Sequence, residues 1–147
     1  MRKLFVITLV LILTGCASTV NLEPATYAND PNCAEVSVRL PDQIGDLSAR
    51  YTNAQATKAW GEPASVLFRC GLESVEVSEL PCVSAGEVDW LVDDSDAPNY
   101  RFISFATTPA VEVIVDSENA SGITVLESIG IAVSQLPFSK KCTTISN

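Results

Sequence analysis

The sequence predicts an α+β domain, an antiparallel sheet of about four strands with one or two helices packed on one face and two disulfides. Three observations point there. Four short β-rich segments lie between Ser65 and Asp116, each bounded by turn-forming residues. Two segments, one near each end of the globular part, begin with helix-capping residues. Cys33, Cys70, Cys82 and Cys142 form an even set behind a front end that reads as an export signal. At 147 residues the chain suits one domain with a real core and is too short for two.

The first element is the signal, residues 1–15. Arg2 and Lys3 precede a ten-residue apolar run from Leu4 to Leu13 that ends at small residues, the layout of a secretory leader. A membrane-spanning helix needs about 20 apolar residues, roughly twice this run. The run closes with Leu13-Thr14-Gly15-Cys16. That tetrad resembles the lipobox of bacterial lipoproteins, in which small side chains admit the extended backbone to a signal peptidase and the Cys thiol takes up diacylglycerol. The resemblance implies a diacylglyceryl thioether on Cys16, with acyl chains such as palmitate held in the lipid bilayer. Each buried CH₂ contributes about 0.8 kcal/mol, and two chains give lasting attachment where one is marginal. The implied location is the extracytoplasmic side of the cell membrane, lipid-anchored. Cys16 thereby also explains the odd count of five cysteines.

Residues 16–30 read as the lipidated cysteine and a flexible tether, since Ala17 to Asn29 are small and polar, lack a period and include Pro24. Residues 31–147 then form the single globular domain. Asp30-Pro31 looks like an N-cap followed by Pro at the first helical position, opening a short helix from Pro31 to about Leu40. The same residues also alternate as a strand would, with Ala34, Val36, Val38 and Leu40 on one side. From Pro41 to Glu62 no pattern is sustained, and the stretch reads as irregular. Strand signals follow at Ser65–Cys70 and Val88–Val92. Two more, Tyr100–Ala106 and Ala110–Asp116, read as a hairpin around Thr107-Thr108-Pro109. Ser121 can cap a helix running to Leu136, with Leu126, Ile129, Val133 and Leu136 at helical spacing and Pro137 ending it.

Of the three pairings open to four cysteines, the sequence favours Cys70–Cys82, closing a short acidic loop, and Cys33–Cys142, tying the front of the domain to its tail. A metal site is disfavoured because no C-x-x-C pair and no His is present. Without the signal, seven basic residues face eighteen acidic ones, a net charge of −11. A polyanion of this size is repelled by nucleic acid and by anionic lipid head groups, so no nucleic-acid partner is expected and an electrostatic partner should be basic, neutral or a cation. Scattered acids also keep an exported domain dispersed.

The absence of His removes every Ser-His, Cys-His and His-metal arrangement together. Glycine-rich phosphate loops and the G-x-S-x-G elbow are missing too, and no cofactor is expected. Paired carboxylates remain. Glu87 and Asp89 sit two apart and would lie on one side of a strand, about 6 to 7 Å apart, a separation compatible with glycoside hydrolysis. A solvated row opposite Val88, Trp90 and Val92 is the favoured reading. The cluster Asp93, Asp94, Asp96 and Asn99 reads as an acidic turn in preference to a Ca²⁺ loop, since it lacks the EF-hand Gly and distal Glu. Trp60, Trp90, Tyr100 and Phe102 could line a binding face, although aromatics at strand spacing are more often core.

Several stretches together carry a resemblance: Ala59-Trp60-Gly61-Glu62-Pro63, Leu67-Phe68-Arg69-Cys70-Gly71, Cys82-Val83, Val88-Asp89-Trp90, Tyr100-Arg101-Phe102 and Thr108-Pro109-Ala110-Val111-Glu112-Val113, with a late Cys142. Over residues 31–143 the chain resembles an actinobacterial family of small membrane-anchored or secreted proteins catalogued as a domain of unknown function. In that family a basic residue often precedes the Thr-Pro, where this chain has Thr107. The resemblance implies an actinobacterial envelope, and a link to wall biogenesis through a neighbouring D-alanyl-D-alanine ligase gene. It supplies no catalytic residues. The function expected is that of a membrane-anchored extracytoplasmic lipoprotein, a non-catalytic binding or accessory protein partnered by an envelope protein or wall precursor. The alternatives are a carboxylate-dependent hydrolase of wall glycan and a structural spacer without ligand.

Overall fold

The structure, a computed structural model, describes residues 18–143. The expected signal, Cys16 and Ala17 lie outside the described residues. The chain runs α1 (Pro31–Ser37), β1 (Gln43–Ile44), β2 (Leu47–Arg50), β3 (Thr57–Trp60), β4 (Val66–Leu72), β5 (Cys82–Ala85), β6 (Val88–Asp93), β7 (Asn99–Ser104), β8 (Ala110–Asp116) and α2 (Gly122–Val133). The eight strands form one sheet in the order β1-β2-β3-β4-β8-β7-β6-β5, every neighbouring pair antiparallel. This corrects the expected α+β class and its sheet of about four strands. The domain is mostly β, with eight strands and two short helices.

The architecture is two four-stranded meanders joined where β4 pairs with β8. After β4 the chain crosses the sheet to its far edge, then returns strand by strand until β8 closes onto β4. The additional strands lie where the sequence showed no period. β1 and β2 have two and four residues and meet at Gly45-Asp46, with Gly45 at φ +55°, and β3 has four residues. Strands this short complete no alternation that a pattern could reveal. β5 is equally short and follows an acidic connection.

Alternation in the longer strands separates two faces. Val66, Phe68 and Cys70 on β4 oppose Val115, Val113 and Val111 on β8, all fully buried, and Tyr100 and Phe102 continue that face across β7. Both helices cover it. α1 contributes Cys33 and Val36 to the main core, and α2 contributes Val125, Leu126, Ile129, Ala132 and Val133. The opposite face holds a smaller apolar cluster of Leu91, Ile103 and Ala110 with Leu72, Val75, Cys82 and Phe105.

The caps act as their residue types require. Asp30 accepts from the backbone N–H of Asn32 at 2.8 Å, and Ser121 from that of Thr124 at 3.5 Å. Helix, and not strand, is therefore the state of the ambiguous segment after Pro31. α1 ends at Ser37 and α2 at Val133, each three residues before the point its apolar spacing suggested.

Part of the segment expected to be a flexible tether lies against the sheet. Val20 forms a parallel bridge with Thr52, the N–H of Tyr27 donates to the carbonyl of Gly71 at 2.8 Å, and Ala28 is buried. Gly71, at φ +109°, permits this approach. A Cβ there would meet Ala28 N and Tyr27 C at 2.5 Å.

Candidate functional site

A cavity of about 370 Å³ opens between the β5–β6 turn, the end of α2 and the C-terminal tail, and is lined by residues of all three, among them Glu87, Asp89, Val133, Leu136, Lys140 and Lys141. Its floor is set by the turn. Gly86 and Glu87 both have positive φ, +59° and +68°, so the tight connection matches the twist of the two strands. Gly86 rests on Gly130 of α2, where an added Cβ would lie 2.7 Å from the Gly130 Cα. Glycine at both positions lets hairpin and helix touch.

Asp89 is buried, and its two carboxylate oxygens are each engaged. Oδ1 accepts from the Ser84 hydroxyl at 2.6 Å and Oδ2 from the backbone N–H of Cys142 at 2.7 Å. Ser84 is its cross-strand partner, and Cys142 is disulfide-bonded to Cys82 on the same edge strand. Asp89 therefore fastens the tail to the sheet. Glu87 is exposed and sits in the turn, not in a strand row with Asp89, and its backbone carbonyl accepts from Lys141 Nζ at 2.9 Å. The pair lines one cavity but does not form the same-side strand pair that the spacing suggested.

The tail supplies the remaining walls. Thr108 N–H donates to the Pro137 carbonyl at 2.9 Å and Ser139 N–H to the Ala106 carbonyl at 3.0 Å, so residues 137–139 run as a short ribbon beside the β7–β8 connection. Lys141 lies 4.9 Å over the Phe138 ring, and Lys140 lies 5.8 Å over Phe105 and 4.0 Å from Glu76. The result is an amphipathic recess lined by Lys140, Lys141, Glu87 and Asp89 together with the apolar Val133, Leu136 and Phe138. That combination suits an extended ligand carrying a carboxylate and an apolar stem. Asp89, the buried carboxylate in its lining, has both oxygens hydrogen-bonded.

The four candidate aromatics belong to the main core cluster and form no binding face. Trp60 and Trp90 are fully buried, their indole N–H groups donating to the carbonyls of Pro41 at 3.0 Å and Ala85 at 3.1 Å. Phe102 is buried as well, and Tyr100 packs against the same cluster. The strand registry that aligns these residues is what buries them.

All four cysteines of the domain are in disulfides, but the pairing is Cys33–Cys70 and Cys82–Cys142, with Cα separations of 5.6 and 6.5 Å. The expected Cys70–Cys82 and Cys33–Cys142 bonds are excluded by the sheet. β4 and β5 are four positions apart in strand order, about 19 Å at the usual strand spacing, and Cys70 points to the helix-covered face while Cys82 points to the other.

Away from the recess, the helix-free face carries a charge cluster that the sequence reading did not single out. Buried Glu112 on β8 accepts from Arg69 on β4, through Nε at 2.9 Å and through Nη2, and from Arg101 on β7. Alternating strand positions reveal that Arg69, Arg101 and Glu112 share a face only once the β4–β8 pairing is known. The acidic turn after β6 is self-contained. Asp93 accepts from Ser95 N–H at 3.1 Å, and hydrogen bonds from Ser95, side chain first, hold its carboxyl below the ordinary value.

No curated protein and no solved structure is significantly similar to this chain. The chain belongs to the family described as Protein of unknown function (DUF3515), whose family model matches residues 5–140.

Proposed function

We propose that this protein is a lipoprotein anchored through Cys16 to the extracytoplasmic side of the cell membrane of an actinobacterium, where it binds an envelope protein or wall precursor without chemically converting it. The partition of the cysteines carries the reading. Four are paired inside the domain, as an oxidising compartment favours, and the fifth stands at the end of the apolar leader in Leu13-Thr14-Gly15-Cys16. Among the described residues no helix is long and apolar enough to cross a membrane, so attachment in this reading rests on the lipid.

The recess supports a binding role. Its buried carboxylate, Asp89, is committed to the tail, and Lys140, Lys141 and apolar side chains share the lining. An alkyne-bearing fatty acid fed to cells should label the parent protein and leave a Cys16→Ser variant unlabelled. Titration of the folded domain with wall stem peptides, followed by NMR, should move resonances of Lys140, Lys141 and Phe138. A Lys140→Glu/Lys141→Glu variant should lose that response. Label retained on the Cys16→Ser variant would refute the anchor, and peptide shifts absent from these residues would refute the recess as the binding site.

A further inference from the structure

The first described residues are bonded to the domain from the outset. Ser18 accepts through its carbonyl from Arg50 Nη2 at 2.6 Å and through its hydroxyl at 3.1 Å. Val20 N–H donates to the Tyr51 carbonyl at 2.8 Å, Asn53 N–H returns to the Val20 carbonyl at 3.3 Å, and Leu22 N–H donates to the Asn53 side chain at 2.8 Å. The span from Cys16 to Ser18 is two residues, at most about 7 Å of extended chain. An anchor on Cys16 therefore leaves almost no slack between the bilayer and the edge formed by residues 18–22 and the turn after β2.

The composition of that edge sets it apart from the rest of the protein. Residues 47–61 and 18–22 contain no Asp or Glu, in a chain with eighteen of them. The two cations of this edge are balanced by neighbours, Arg50 by Glu62 at 2.5 Å and Lys58 by Asp42 at 3.1 Å. The surface is thus close to neutral, where most of the molecule would be repelled by anionic headgroups. Tyr51 stands at its centre with 81 % of its surface exposed. An exposed tyrosine, apolar in body and polar at the tip, is the side chain that interfaces of lipid and water accept.

We infer that the edge around Ser18, Tyr51 and Asn53 rests on the phospholipid headgroup layer, so that the domain is seated on the membrane by that edge and not suspended from it. This rests on the lipoprotein reading above. It also fixes orientation. The opposite edge, β5, lies six strand positions from β2, about 29 Å away, and the recess beside β5 then faces away from the bilayer.

The test uses the full lipidated chain, purified from membranes and placed in vesicles of phosphatidylcholine and phosphatidylglycerol brominated on the acyl chains near the headgroup. Tyr51→Trp and, at the far edge, Val83→Trp report position. Trp60 and Trp90 are buried and supply a constant background. Bromolipid should quench the added emission at position 51 and leave that at 83 unchanged. Equal quenching at both positions, or none at 51 in protein whose mass shows lipid on Cys16, would overturn the docking while leaving the anchor intact. Protein lacking lipid on Cys16 would overturn the lipoprotein reading, and the docking with it. Val83 is itself 41 % exposed, and a Val77→Trp label, at a position 86 % exposed in the connection leading into β5, replaces it if that variant does not fold.

Discussion

Asp89 joins three parts of the chain, its own strand, the edge strand through Ser84 and the tail through Cys142. Asp89→Ala removes both acceptors and leaves the Cys142 N–H without its partner, which costs about 1–3 kcal/mol. Urea titration of the variant against the parent measures this. Gly130 gives a sharper case because propensity and packing oppose each other. Alanine in a helix interior gains about 1 kcal/mol over glycine, yet the added Cβ would lie 2.7 Å from the Gly86 carbonyl carbon. Overpacking of that kind costs about 1–3 kcal/mol, so Gly130→Ala should lower the melting temperature despite its better helix propensity. At Asp93 the direction of titration is fixed by Ser95. A carboxyl whose folded pKa is depressed contributes stability above its unfolded pKa, and that contribution is lost as pH falls through the folded value. Ser95→Ala should raise the Asp93 pKa towards the ordinary 3.8, as read by NMR titration. None of these three roles depends on periodicity. Asp89 was visible as an acid beside Trp90, but its donors come from positions 5 and 53 residues away, and no local pattern announces them.

The elements that the sequence predicts best are those with their own chemical punctuation. Asp30-Pro31 and Ser121 open helices, and the long apolar alternations of β4, β6, β7 and β8 are strands. β1, β2, β3 and β5 are short, and their strand character comes from neighbours that pair with them. Strand order decided the disulfides in the same way. Proximity in sequence favoured Cys70 with Cys82, whereas three intervening strands part them. In the chain-entropy description, loops of 37 and 60 residues make the observed bonds worth about 4 kcal/mol each. A Cys33→Ser/Cys70→Ser variant should therefore lose a large share of the 5 to 15 kcal/mol typical of a domain, measured by denaturant titration without reductant.

For the molecule as a whole, the sheet places its two ends in different surroundings. One edge receives the N-terminal segment at Thr52 and Asn53. The other receives the C-terminal tail through Cys82–Cys142 and bounds the recess. An anchor at Cys16 would present these ends at different heights above a membrane, the near-neutral edge below and the recess above. The five cysteines divide into four paired in the domain and, in the proposed reading, one that carries the lipid. Peptide mass mapping of the protein isolated from its native membrane, alkylated before any reduction, tests this division most directly. Linked peptides containing Cys33 with Cys70 and Cys82 with Cys142 are expected, with an N-terminal Cys16 carrying diacylglycerol. Alkylated domain cysteines, a Cys70–Cys82 peptide, or an unlipidated Cys16 would contradict it.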